Sequence, residues 1–592
     1  MLQVSFTLIH RRDYVLLKKA TRKPELASIL GVSAAFLTRV LYKPGVKYHY
    51  HQFDIDKKSG GKRTINAPSD ELKDLQRRLS DLLQNCSEVI RYDTGVKSEC
   101  LVSHGFERNR SIITNASVHK GKKRVLNLDL DDFFGQFNFG RVRGYFIANK
   151  YFQLHPHIAT VLAQIACHKN SLPQGGPCSP VIANLISNSL DMKLSRLARK
   201  FGCSYSRYAD DITFSTSKSF FPQGIVKCTE PLELGGKLLG EIRRAGFSVN
   251  AKKTRLQFKD SRQETTGLVV NKKVSVKSEY WRLARAMADR LFKTGAFEIS
   301  DKNGETRAGT LDELEGRLAF IDSIDRYNNI IERKRPKPPW GFVKHEGLNR
   351  FKGRHNSRER VYSRFLFYKY FYANNYPTVL TEGKTDNVYL KSALSRLQDF
   401  FPKLVSPQTA DKPYYPKLKF PELNKRTMYF LDLGDGATPF RRFVERYESE
   451  SAYFHGEKAK SPVILVLDND NGPSALLKYL SSKEITSCPN TVDEIKKPGF
   501  LHITRNLYLI LTPLKRGMKN SMMEDLFYKK TLREKVGGKT FSTKSSFDES
   551  KHYGKHIFST KIVRSKKSSI NFNKFKYIFK EIERVKAHFA KL

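Results

Sequence analysis

Short acidic stretches of this 592-residue chain have the residue types and spacing to hold divalent cations. The segment YADD, Tyr208 to Asp211, sets Asp210 and Asp211 side by side between strand-forming residues. Upstream, RVLNLDLDDFF ends an alternating apolar run in Asp129, Asp131 and Asp132. If Asp129 closes one strand while Asp210 and Asp211 occupy the tight turn of a neighbouring hairpin, three carboxylates converge where two hard ions could sit. Such a site serves nucleotidyl transfer: one ion lowers the pKa of an attacking hydroxyl, and the other neutralises the triphosphate and its leaving pyrophosphate. In the second half, TVLTEGKTD puts Glu382 at the end of an apolar run, and VILVLDNDNG ends another in Asp468 and Asp470. Their i, i+2 spacing in extended chain points both carboxylates to one side. An isolated Asp-Asp pair or DND is ordinarily a solvated turn; the order of the segments sets these apart.

The elements that must position these acids follow from periodicity. Arg124 to Asp129 reads as a strand running into a turn, where Asp131 and Asp132 have a turn or helix-start role. LPQGGPCSPVIANLISNSLDMKL, Leu172 to Leu194, is a Gly/Pro-rich loop opening an apolar helix, and lets backbone approach a base pair or nucleotide closely. SEYWRLARAMADRLFKTG and LDELEGRLAFIDSIDRYNN have helical spacing of apolar residues with basic ones between. RKRPKPPWG, Arg333 to Gly341, is an extended connector and the best domain boundary. The formal net charge is +47, with basic residues recurring along the whole chain, which points to nucleic acid as the partner. No apolar run approaches the roughly 20 residues of a spanning helix, and MLQVSFTLIHRRDYVLLKK lacks a signal-cleavage pattern. The chain therefore reads as intracellular, without a membrane partner. The seven cysteines are scattered with no CxxC pair, which argues against zinc or a disulfide framework.

The ordered set of segments over about residues 30 to 330 resembles retron reverse transcriptases. KKSGGKRTINAPSDELKDLQRRL is similar to the fingers segment, SHGFERNRSIITNASVHKGKKRVLNLDLDDFF carries HGF, NA and H elements into the first catalytic strand, and ETTGLVVN ends the palm. The resemblance implies that Asp129, Asp210 and Asp211 bind two Mg2+ ions and that Phe134 lies beneath the incoming sugar, selecting dNTPs. It also implies that Lys62 and Arg63 hold the triphosphate, as a guanidinium's bidentate geometry suits, and that Gln174 and Gly175 line the nucleotide pocket. Two departures, TTG for VTG at Thr265 to Gly267 and GGPCSP for GAPTSP at Gly175 to Pro180, touch primer and template contacts rather than metal ligands.

EG-x-x-D followed by DxDxxG resembles the TOPRIM domain of topoisomerases, primases and OLD-family nucleases. The resemblance implies that Glu382, Asp468 and Asp470 hold Mg2+ or Mn2+, with Asp386 and Glu524 of MEDLF as further candidates; Glu524 is equally explained as a helix-start acid. The expected fold is multidomain, α+β and α/β. A right-hand polymerase has fingers and palm over residues 1–270 and a helical thumb over 271–332. A linker and connecting helix follow over 333–375, then a Rossmann-like TOPRIM domain with a basic C-terminal extension over 376–592. That extension alternates basic and aromatic residues, which suits phosphate contact with base stacking or, equally, an amphipathic helix packing on the core. The implied activity is copying of a cognate noncoding RNA into branched RNA–DNA in the bacterial cytoplasm, with a metal-dependent nuclease effector for antiphage defence; a homo-oligomer is left open. The rivals are an intron-like reverse transcriptase with a nucleic-acid-processing second half, and an RNA-binding scaffold with two dead sites.

Overall fold

The computed structural model describes residues 2–592 apart from 44, 57–59, 97–100, 301–303, 333–354, 410–411, 435–437, 483–487, 516 and 545. The connector expected at Arg333 to Gly341 lies outside the described residues. Two compact units divide the chain, Met1–Lys277 and Ser278–Leu592.

In the first unit, an antiparallel hairpin of β1 (Tyr50–Asp56) and β2 (Lys62–Pro68) precedes the long helix α1 (Asp70–Asp93). The central sheet contains β3 (Arg124–Asp129), β4 (Ser204–Tyr208), β5 (Asp211–Thr216) and β6 (Arg255–Phe258) in the antiparallel order β4-β5-β3-β6. Side-chain alternation sends Leu126 and Leu128 of β3 and Ile212 and Phe214 of β5 into one core. Asn127 and Asp129, with Thr213 and Asp211, are left on the opposite face. Helix α2 (Ser179–Phe201) begins directly after the GGPC loop with proline in its first turn and ends on Gly202 at φ 67. Its Ile182, Leu190 and Leu194 join the same core, each contributing about 1.5–3 kcal/mol by burial.

The second unit starts with α3 (Ser278–Thr294) and α4 (Leu311–Glu332), the helices expected as a thumb. They belong to the same compact unit as everything after the connector, so the division falls earlier than 333–341. The cause is a set of ion pairs and ring contacts: Lys369 with Asp312 and Glu315, Arg426 with Asp322, Arg358 with Asp325, and Phe292 against Tyr368 and Phe454. After α5 (Ser357–Phe367) comes a sheet of β7 (Thr378–Thr381), β8 (Val463–Leu467), β9 (Phe500–Thr504) and β10 (Leu507–Leu511) in the order β7-β8-β10-β9. Strands β7, β8 and β10 run parallel and β9 antiparallel at the edge. VILVL is buried throughout, as expected of a parallel strand covered on both faces. Helix α6 (Lys384–Arg396) follows β7, and α7 (Lys576–Phe589) packs Ile578, Phe579, Ile582 and Val585 into this unit's core. Phe558, Phe572 and Phe575 are buried with them, which favours core packing over base stacking for those rings, while Lys561, Lys567 and Lys580 are exposed.

Candidate functional site

The register between β3 and β5 puts Asp129 directly opposite Asp211. Like charges facing each other across a ladder are destabilising unless a cation offsets them. Asp210 belongs to the two-residue turn joining β4 and β5, where Ala209 is left-handed at φ 56, and its carbonyl accepts from the Leu130 N–H at 3.1 Å. Burial, with the Asp129 charge added, raises the Asp210 carboxyl above its ordinary value. Asp211 opens to solvent, yet the protein crowded around it and the charges of Asp210 and Asp129 push its carboxyl up to about 6. Lys253 supplies a cation, its Nζ donating to both Asp129 oxygens at 2.9 Å.

The residues expected to bind nucleotide lie on β2, in the loop before α2 and in the turn after β3. Arg63 of exposed β2 lies near enough for its charge to favour Asp210 ionisation, and Lys62 precedes it on the same strand. Gln174 O accepts from Asn66 N–H of β2 at 2.9 Å. Gly175 has φ 121, and a Cβ there would stand 2.7 Å from Asn66 O, so glycine is required by both conformation and space. Phe134 is half-buried, with its ring 5.4 Å from Phe133 and 6.4 Å from Phe106. Asp131 and Asp132 lie in the turn after β3.

In the second unit, parallel pairing of β7 with β8 brings Glu382 and Asp468 together at the carboxyl ends of neighbouring strands, the usual ligand-binding edge of such a sheet. Glu382 Oε1 accepts from Asp468 N–H at 3.1 Å, and Asp468 Oδ1 from Met523 N–H at 2.7 Å. Buried Asp386 accepts from Gly383 N–H at 3.0 Å. Glu524, 2% exposed, is bonded by Lys555 Nζ at 3.0 Å. Burial and mutual repulsion raise three of these carboxyls: Asp468 to about 8, Glu382 to about 7 and Asp386 to about 6. Asp470 adds its charge to Glu382 while accepting from Gly472 N–H at 2.7 Å. Burial alone would lower the Lys555 pKa, but Glu524, Asp468 and Asp386 raise it.

Among the described residues, no three His, Cys, Asp or Glu side chains are arranged to hold a metal ion as they stand. Asp129 is turned to Lys253, and Glu524 to Lys555. Both donor sets are nonetheless all-oxygen and carboxylate-rich, which is the chemistry hard divalent cations require. Side-chain rotation would have to complete either site. Lys253 and Lys555 went unseen in the sequence because nothing local distinguishes them within a chain so rich in lysine and arginine.

A family model described as "Reverse transcriptase (RNA-dependent DNA polymerase)" matches residues 55–276. The chain is 33% identical over 331 residues to the Escherichia coli retron Ec86 reverse transcriptase, spanning 54% of this chain and 92% of that one. It is 32% identical over 335 residues to the Myxococcus xanthus retron Mx65 reverse transcriptase, spanning 53% and 71%. Among solved structures, a Candida albicans telomerase aligns over 47% of this chain and 56% of its own at 12% identity and a TM-score of 0.28.

Proposed function

The chain belongs to the retron reverse transcriptases, and from that premise we propose that its first unit copies a cognate structured noncoding RNA into branched RNA–DNA at the Asp129, Asp210 and Asp211 site. The observation that carries the site assignment is the direct opposition of Asp129 and Asp211 with Asp210 in the adjoining turn. Lys253 pairs with Asp129 alone, and the carboxyls of Asp210 and Asp211 are still raised by burial and by the neighbouring acids, which favours a cation being held there. Mg2+, the usual cofactor of reverse transcriptases, would supply hydroxyl activation and charge neutralisation when bound. The carboxylates fix its position, Arg63 and Lys62 draw the triphosphate, Gly175 lets the loop approach the nucleotide, and the Phe134 ring excludes a ribose 2′-hydroxyl. DNA synthesis begins from a 2′-hydroxyl within the RNA.

For the second unit we propose a TOPRIM-like, metal-dependent phosphodiester cleavage that acts as an antiphage effector. Its support is the convergence of Glu382, Asp386, Asp468 and Glu524 at the carboxyl edge of a parallel sheet, together with the raised carboxyls of Glu382, Asp386 and Asp468. Mg2+ or Mn2+ fits that oxygen donor set. Sequencing the nucleic acid that copurifies with the protein tests the whole reading. One short branched DNA is expected with the wild type and none with Asp210→Asn; heterogeneous RNA from both would favour the scaffold reading instead.

A further inference from the structure

Arg207, the residue before YADD, has a fully buried side chain, although an arginine on a strand ordinarily reaches solvent. Its guanidinium is used on every side. Nε donates to Asp191 Oδ1 at 2.8 Å and Nη2 to Asp191 Oδ2 at 2.7 Å, a bidentate fork. Nη1 donates to Asn184 Oδ1 at 3.2 Å and to the Ala209 carbonyl at 3.0 Å, and Nη2 to Ser103 Oγ at 3.2 Å. Asp191 also accepts from the Tyr205 hydroxyl at 2.7 Å.

Two features tie this group to the catalytic turn rather than to the core in general. Ala209 holds φ 56, a left-handed conformation that costs a non-glycine residue roughly 1 kcal/mol and persists only where surroundings enforce it. Behind it, a Cβ on Gly105 would stand 2.5 Å from Ala209 N, so the HGF segment presses against the turn, and Asn184 Nδ2 fixes that segment by donating to Gly105 O at 2.6 Å. Asn184 and Asp191 both lie on α2, the helix opened by the Gln174–Gly175 loop. One guanidinium thus joins the nucleotide-loop helix, the HGF segment and the metal-site turn.

We propose that the Arg207–Asp191 pair is a positioning device that holds the Ala209–Asp210 turn so that Asp210 and Asp211 meet Asp129 in the geometry a divalent cation needs. The pair touches neither substrate nor ion. This rests on the reading of Asp129, Asp210 and Asp211 as metal ligands. Breaking one partner of a buried ion pair strands a charge and threatens the fold, whereas replacing both by apolar residues is often neutral for stability. The test therefore uses Arg207→Met/Asp191→Leu and, separately, Arg207→Lys, which keeps the charge but loses the fork. On full-length protein with its copurified RNA, one measures thermal unfolding, RNA retention, dNTP KM, and primer-extension rate against Mg2+ concentration.

The expected result is near-native melting and RNA retention, a dNTP KM within about twofold, a maximal rate reduced about tenfold or more, and a half-saturating Mg2+ concentration raised about fivefold. These last two quantities would not move for a residue that only packs. A folded variant with native Mg2+ dependence overturns the proposal. Unfolding of both variants also overturns it, since the pair would then be a fold-stabilising element. Asp210→Asn is run alongside: if it stays active, the metal-site reading itself fails, and if it is dead while both pair variants are native, only the positioning role fails.

Discussion

The two carboxylate groups of this chain manage their charge differently. On β3 and β5 the acids sit at the rim of an antiparallel sheet, Asp211 open to solvent, with Lys253 bonded to Asp129 and Arg63 within electrostatic reach of Asp210. At the edge of the parallel sheet, Asp386 and Glu524 are buried, and Lys555 is the cation bonded to the group. The consequence appears in the carboxyls: Asp211 rises to about 6, Asp468 to about 8. The first group combines a buried Asp129 with a solvent-open Asp211 and has Lys253 and Arg63 to offset its charge. A site sunk at the end of covered strands stores more repulsion, and its acids hold protons near neutral pH until a cation replaces them.

If the first group is the polymerase centre, its loss should be nearly total. Asp210→Asn or Asp211→Asn is expected to reduce primer extension roughly a thousandfold or more, the several kcal/mol a lost metal ligand costs, while RNA binding and melting stay close to native. Extension within tenfold of wild type would refute the assignment. The comparison sharpens with Glu382→Ala, or Asp468→Ala with Asp470→Ala. These should leave the branched DNA within about twofold on a gel yet abolish phage protection in the same strains, since cleavage needs every charge that holds the ion and aligns water. Full protection would remove the effector reading, and loss of the DNA would mean that the second unit supports synthesis. Phe134→Ala should act more mildly, lowering dNTP-over-rNTP discrimination by about 10- to 100-fold with synthesis retained. An unchanged ratio in steady-state kinetics would place the sugar gate on another residue.

How much of this was readable from the chain differs between the same two regions. YADD, the strand ending in Asp129 and the QGG loop were legible because β-strand alternation and turn chemistry are local, and the hairpin register then follows. The parallel strands ending in Glu382 and Asp468 were legible as buried apolar runs. Their adjacency was not, because parallel pairing joins segments far apart in sequence. Lys253, Lys555 and the Arg207–Asp191 pair were invisible for the same reason: each acts through a contact that only tertiary structure creates. The two helices expected as a thumb were legible as helices from their apolar spacing, but the ion pairs of Asp312, Glu315 and Asp322 that tie the second of them to the rest of the second unit have no signature in spacing. The C-terminal basic-aromatic alternation suited two environments equally, and burial of Phe558 and Phe575 decided between them.

The smallest expected effect concerns protons. In metal-free protein the folded-state carboxyls of Asp468, Glu382 and Asp386 stand at about 8, 7 and 6, above the roughly 4 of an unfolded carboxylate. A raised acid binds its proton more tightly folded than unfolded, so between those values the native state holds more protons and stability falls as pH rises. Melting with a chelator present should therefore drop by a few degrees between pH 6 and pH 8.5, the shift per kcal/mol in so long a chain being smaller than the roughly 2–4 °C of a 150–250-residue domain. The window stays above the range where buried neutral His104 and His119, lowered to about 4 and 3 by burial, would destabilise the protein on protonation. Asp468→Asn should flatten the slope, because its amide carries no charge to repel Glu382 and Asp386, and Mn2+ should flatten it by replacing the protons. The same pH series on Asp211→Asn should flatten the slope less than Asp468→Asn, since the Asp211 carboxyl is raised only to about 6 and has lost most of its proton near the start of the window. Equal flattening by both variants would show that the two groups manage charge alike, and a wild-type slope of opposite sign would show that the buried cluster does not hold protons at all.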